Sequence, residues 1–340
     1  MRIGTGEFVY EVSAQWARLP AGWSFGEVTG VAVDSRDRVY VLSRGEHPVT
    51  IFDRHGDFQA AWGEGVFRRP HGIHIGPDDA VYCADDVDHT VRKFGPDGQV
   101  LFTLGTRDRP SDTGYDGEDL LSIRRGGPPF NRPTSIALGP TGVIYVTDGY
   151  GNARVHKFSP DGQHLLSWGE PGTGPNQFHL PHGVAVDRAG MVYVGDRQNN
   201  RIQIFSPQGE LINTWHDVAR PNDMQFDATG NLYVAELGHQ LGWMPMFVLR
   251  PDGRGGTSFE QSKPTPDVRN APSRVSVFSP EGRLLARLCG DDACAPGGFF
   301  AAHGICVDSR RDVYVGEVVI SASGNTAPPG CHVLQKLVRA

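Results

Sequence analysis

No apolar run in this 340-residue chain approaches the roughly 18 residues that a membrane-spanning helix requires, so no membrane association is expected. Cysteine is scarce, and five residues do not make a disulfide framework. Charge is sparse too, at 21% of residues against 39% hydrophobic. Disordered chains show the opposite balance, so a packed core is implied. Positive charge is in deficit, with 32 Lys and Arg against 39 Asp and Glu and a net charge of −7. Gripping a phosphate backbone takes clustered, surplus Lys and Arg, which excludes nucleic acid as a partner. The opening residues, Met-Arg-Ile-Gly-Thr-Gly-Glu, lack the charged-then-apolar profile of a secretory signal. A soluble, cytoplasmic protein is the expectation.

Gly (44) and Pro (25) are abundant and spread along the chain, as in a protein of many short strands and tight turns. Behind them lies a repeat. Six segments share an alternating apolar strand, a turn with Asp and Gly or Arg, and a Tyr-containing strand. They are residues 30–42 (GVAVDSRDRVYVL), 72–84, 135–147, 183–195, 223–235 and 304–316. A second hairpin follows five of them, at 49–62, 91–104, 155–168, 202–215 and 275–288, with turns such as Ser159-Pro160-Asp161-Gly162. Two hairpins make a four-stranded sheet. Six such sheets set radially make an all-β, six-bladed β-propeller spanning residues 1–340. The sixth copy has a third strand at 331–338 and no fourth, and residues 8–19 (FVYEVSAQWARL) resemble the missing one. The N-terminal segment is therefore expected to complete the last blade and close the ring. Uneven spacing marks a long inter-blade loop at 105–133 and an insertion at 238–274 within blade 5.

The residue before each repeat alternates. Copies two, four and six read Pro70-His71-Gly72, Pro181-His182-Gly183 and Ala302-His303-Gly304, whereas the other copies carry Thr29, Thr134 and Asn222 there. Innermost strands line the central channel of a propeller, so histidines on alternate blades stand about 120° apart and converge on the axis. Three imidazoles with open positions are the form of a catalytic zinc site, although Fe, Cu and Ni also accept imidazole. Each second strand returns to the same face, which brings Arg44, Tyr150 and Arg197 near this point. Two guanidiniums and a phenol suit an anionic substrate: arginine forks a carboxylate, and tyrosine moves a proton. Asp85, Asp148 and Asp196 read instead as ties between blades. Trp62, Trp168 and Trp215 read as packing between blades, Cys289 and Cys294 as buried or surface thiols, and the acidic stretch 112–119 as a solvated lid over the channel mouth.

The repeats resemble NHL repeats. The segments SRGEH (43–47), PHG (70–72 and 181–183), DGYGNAR (148–154), DRQNNRIQ (196–203) and AHG (302–304) resemble the peptidyl-α-hydroxyglycine α-amidating lyases. That family is a six-bladed propeller that cleaves an N-acyl-α-hydroxyglycine to an amide and glyoxylate. The resemblance implies zinc on His71, His182 and His303, Tyr150 as the base, and Arg44 and Arg197 on the substrate carboxylate. It implies a small-molecule or peptide substrate bearing a carboxylate. The family also holds a structural calcium through carbonyls corresponding to Val31 and Ile73 and an aspartate directly after the third histidine. That position is Gly304 here, so calcium is not expected on the same ligands. The cysteine that follows the family's tyrosine is Gly151, which fits a reducing compartment. Two other readings stay open: a zinc-dependent hydrolase or lactonase on the same fold, and a non-catalytic NHL propeller that binds partners or serves as a scaffold.

Overall fold

The computed structural model describes residues 1–239, 247–251, 257–261, 271–323 and 329–340. Six antiparallel sheets stand around an axis, as the repeat implies. Their innermost strands are Val28–Val33, Pro70–Ile75, Pro133–Leu138, Pro181–Val186, Pro221–Phe226 and Ala302–Val307, here blades 1 to 6. Proline opens four of them, a position where a missing N–H removes no ladder bond. Second strands such as Val81–Asp85 and Val192–Asp196 are buried along their whole length because both faces meet other blades, whereas the outer strand Phe58–Trp62 is half exposed.

Between neighbouring blades lies one apolar cluster each. Tyr82, Val91 and Leu104 of blade 2 meet Ile136, Val146 and Phe158 of blade 3, and equivalent clusters fill the other five gaps. Trp168 and Trp215 belong to the clusters between blades 3 and 4 and between 4 and 5, and Trp62 packs against that between 1 and 2, as expected.

Ring closure follows the expected route. Phe8–Ser13 pairs antiparallel with Leu334–Arg339, the third strand of blade 6. The sheet runs one strand further than expected, since Arg2–Thr5 folds back onto Phe8–Ser13 as a fifth strand. Inner strands then touch in unbroken order from blade 1 to blade 6 and back to blade 1. Most of the insertion at 238–274 lies outside the described residues, apart from the antiparallel pair Phe247–Pro251 and Thr257–Gln261.

The cysteine expectation fails at one pair. Cys294 is bonded to Cys331, 37 residues away, and Cys289 is a free thiol. Cys294 and Cys331 meet because both pack on a small cluster of Leu237, Phe300 and Val318. Among the described residues no helix is long and apolar enough to cross a membrane.

The closing strand supplies Tyr10, which is fully buried, with its phenol oxygen 3.0 Å from that of Tyr233 in blade 5. Tyr10→Ala should cost about 3–5 kcal/mol, and Tyr10→Phe about 1 kcal/mol through the lost hydrogen bond. Urea titrations superimposable on wild type for both variants would show that this strand does not hold the ring.

Candidate functional site

The site is built on a repeated defect in the ladder. In blade 2, Pro70 pairs with Asp85 and Gly72 with Ala84, so His71 is left unpaired between them. The same residue is skipped in every blade: Thr29, Thr134, His182, Asn222 and His303. Such a bulge bends the strand and re-aims one side chain, here toward the axis.

Each imidazole is then fixed by the next blade. Nδ1 of His71 lies 2.8 Å from the carbonyl oxygen of Thr134, that of His182 lies 2.8 Å from Asn222, and that of His303 lies 2.7 Å from Thr29. A carbonyl only accepts, so Nδ1 carries the proton and Nε2 keeps a free lone pair. The three rings stand 4.8 Å apart, centroid to centroid, and all are buried. Their ligating nitrogens lie within 4.8 Å of one another. Burial, and then the charge of Arg44, hold His303 down to about 3. Burial also holds His71 and His182 well below the usual histidine range, with His303 and Arg44 adding to the first and Arg197 to the second. Neutral, oriented imidazoles with inward Nε2 atoms are the donor set that a divalent transition metal takes, and these residues fit one.

Tyr150 stands directly above. Its phenol oxygen is 3.3 Å from Nε2 of His71, 3.2 Å from Nε2 of His182 and 3.3 Å from Nη1 of Arg197. Thus His71, His182, His303, Tyr150 and Arg197 come together. Arg44 reaches the same mouth but is engaged: its guanidinium is 2.8 Å from both Glu27 and the Ser321 hydroxyl.

Three further arginines, Arg69, Arg132 and Arg220, were not foreseen. The guanidinium carbons of Arg69, Arg132 and Arg197 lie 5.9, 6.0 and 5.5 Å from the Tyr150 ring centre. Arg220 is buried nearby and held down to about 9, by burial first and then by the charge of Arg197. Their signal was in plain view: Arg69-Pro70, Arg132-Pro133 and Arg220-Pro221 repeat the same dipeptide immediately before three inner strands.

The buried carboxylates at the ends of the second strands are ties within their own blades rather than the expected ties between blades, because each takes backbone N–H groups from the segment that enters its own inner strand. Asp85 accepts from the backbone N–H of Arg68, Arg69, Val87 and Asp88; Asp148 accepts from Asn131, and Asp196 from His179. The 105–133 loop is docked rather than merely solvated. Its acidic residues Asp112, Asp116 and Glu118 are exposed, but Thr113 is buried and donates to the carbonyl of Gly151, and the Tyr115 hydroxyl lies 3.1 Å from Arg132.

Residues 130–158 and 178–205 match the NHL repeat. Human NHL repeat-containing protein 3 is 34% identical over 250 residues, which cover 68% of this chain and 68% of that protein. The chain belongs to the NHL-repeat family. It is also homologous to the amidating lyases: peptidyl-α-hydroxyglycine α-amidating lyase 1 of Drosophila melanogaster is 33% identical over 175 residues, 48% of this chain and 30% of that one. Among solved structures, a gluconolactonase of Xanthomonas campestris covers 97% of this NHL propeller and 95% of its own chain, with a TM-score of 0.57 at 14% identity, a likeness of fold alone.

Purified protein should carry about one divalent metal ion per chain by plasma mass spectrometry, and a His71→Ala/His182→Ala double variant should carry none; stoichiometric metal in the double variant would mean that the triad is not its site. A second expectation concerns Asp223, just below the triad, whose carboxyl is pushed up to about 7 by burial. The folded protein then keeps this proton over a window in which the unfolded chain has lost it. Its contribution to stability is present at low pH and lost as pH rises from about 4 to about 7. In chelator-treated protein, the Tm of Asp223→Asn relative to wild type should therefore rise between pH 5 and pH 8. A difference that stays flat or falls would contradict the assignment.

Proposed function

We propose that this NHL propeller is a metal-dependent lyase that cleaves the C–N bond of an N-acyl-α-hydroxyglycine-like hemiaminal, releasing an amide and glyoxylate or a related aldehyde. One observation carries the reading: a phenol oxygen within hydrogen-bonding distance of two nitrogens of a buried three-histidine set and of a guanidinium. Homology to amidating lyases supports it. His71, His182 and His303 would hold the metal, zinc being the expected ion, and a bound divalent cation supplies Lewis acidity toward an oxygen ligand.

The chain's own groups account for the remainder. Arg197 takes the substrate carboxylate, which fixes the carbinol carbon beside Tyr150. The phenol oxygen takes the carbinol proton while its own proton passes to the leaving nitrogen. The O–H electron pair becomes the carbonyl bond, the C–N pair leaves with nitrogen, and no net proton is gained or lost. Arg44, already paired with Glu27, positions the mouth rather than the substrate.

Tyr150→Phe should lower kcat by roughly 10²–10⁴. Arg197→Ala should lower kcat/KM by about 10–100-fold through the lost charge-assisted bond. The assay is aldehyde release from α-hydroxyhippurate. Unchanged turnover in both variants would overturn the mechanism. An ¹⁸O label from water appearing in an acid product would instead assign a hydrolase.

A further inference from the structure

The arginines at the channel mouth divide into two kinds. Arg44 and Arg69 each have a carboxylate of their own, Glu27 and Asp86. Those pairs occupy corresponding places in blades 1 and 2, with acid and base exchanged: the Arg44 N–H bonds the carbonyl of Glu27, and the Asp86 N–H bonds that of Arg69. Arg132, Arg197 and Arg220 stand at the corresponding places in blades 3, 4 and 5. Among the described residues none of these three is paired with a carboxylate. Arg132 bonds the Tyr115 hydroxyl, Arg197 the Tyr150 hydroxyl and the Asn222 side chain, and Arg220 the Gln198 side chain. All of those partners are neutral.

Arg197 and Arg220 are 8% and 5% exposed, and the Nε atoms of Arg132 and Arg197 are buried without a hydrogen-bond partner. A buried cation without an anion is strongly unfavourable, and a buried donor without an acceptor adds to the cost. The fold neutralises its arginines where it can, on blades 1 and 2. On blades 3 to 5 it leaves three guanidiniums around one phenol without an ion-pair partner, Arg132 alone feeling the Asp86 carboxylate at longer range. A single carboxylate compensates one of them.

We infer that the chamber takes a substrate with at least two negative charges, one held at Arg197 beside Tyr150 and a second held between Arg132 and Arg220. This rests on the chamber being a substrate site, and it narrows the class from a carboxylate-bearing hemiaminal to one carrying a further acidic group on its other half.

The test is binding without turnover, by isothermal titration calorimetry on the metal-loaded full chain at fixed ionic strength. Succinate serves as the dianion and succinamate as its near-isosteric monoanion. Succinate should bind roughly tenfold tighter or more, as expected for one added charge-assisted contact. Arg220→Gln and Arg132→Gln, each checked for an unchanged circular dichroism spectrum, should each bring the two ligands within about threefold of one another. Equal affinities in wild type, no saturable binding of succinate, or a preference that survives both substitutions would overturn the inference. Because no bond is broken in this assay, a protein that prefers succinate yet releases no aldehyde from N-succinyl-α-hydroxyglycine, a hemiaminal carrying both charges, would refute the lyase reading and leave the charge requirement standing.

Discussion

Three imidazole N–H groups donating to backbone carbonyls of the next blade are the contacts on which the site depends. They do two things at once. They join blade 2 to 3, 4 to 5 and 6 to 1, and they commit Nδ1 so that each Nε2 faces the axis. Two of the three intervening joints are made in the same sense, by side chains of the odd blades 3 and 5, whereas the Thr29 hydroxyl of blade 1 turns to Leu42 of its own blade. The Thr134 hydroxyl lies 3.0 Å from the carbonyl of Pro181, and the Asn222 amide nitrogen lies 2.7 Å from that of Ala302. Five of the six joints of the channel wall are thus stitched at one height by bulged residues, and the histidines cannot be removed without also loosening the wall.

This stitching needs strands to approach closely, which explains the glycine after each histidine. A Cβ at Gly72 would lie 2.3 Å from the carbonyl oxygen of Thr134, and one at Gly183 2.5 Å from that of Asn222. One at Gly304 would lie 2.6 Å from the Cα of Gly30. All three obstacles are backbone atoms. His-Gly is therefore a single device: the first residue reaches the neighbouring strand, and the second lets that strand come near enough to be reached.

Much of this was legible in the sequence, for a reason particular to repeats. Six copies of one unit turn a spacing into an angle, so three histidines at one register position become neighbours without any structural information. The same logic would have found Arg69, Arg132 and Arg220, because Arg-Pro recurs one residue before the register already in use. They were missed because a proline at a strand entry is explained by backbone geometry alone, which draws attention away from its neighbour. The Cys294–Cys331 bond and the strand Arg2–Thr5 were illegible for a different reason. Neither recurs in another blade, and a feature that occurs once has no register. Arg44 shows the limit of register itself: Glu27 stands at a register position, but the bond to the Ser321 hydroxyl joins residues 277 apart.

The departure at Gly304 then acquires a physical meaning. The residue after the bulge faces backbone on the even blades and so must be glycine. On the odd blades the constraint relaxes. A Cβ at Gly30 would meet the Ile73 side chain at 2.8 Å, and the matching residues on blades 3 and 5 are Ser135 and Asp223. A carboxylate at this height can therefore stand only on an odd blade of this ring. Asp223 does so, accepting from the N–H of Ile305 across the seam to blade 6, beside the triad and at the head of the axial cavity. Blade 5 thus admits, beside the triad, the acidic side chain that backbone contact forbids after the histidine on blade 6.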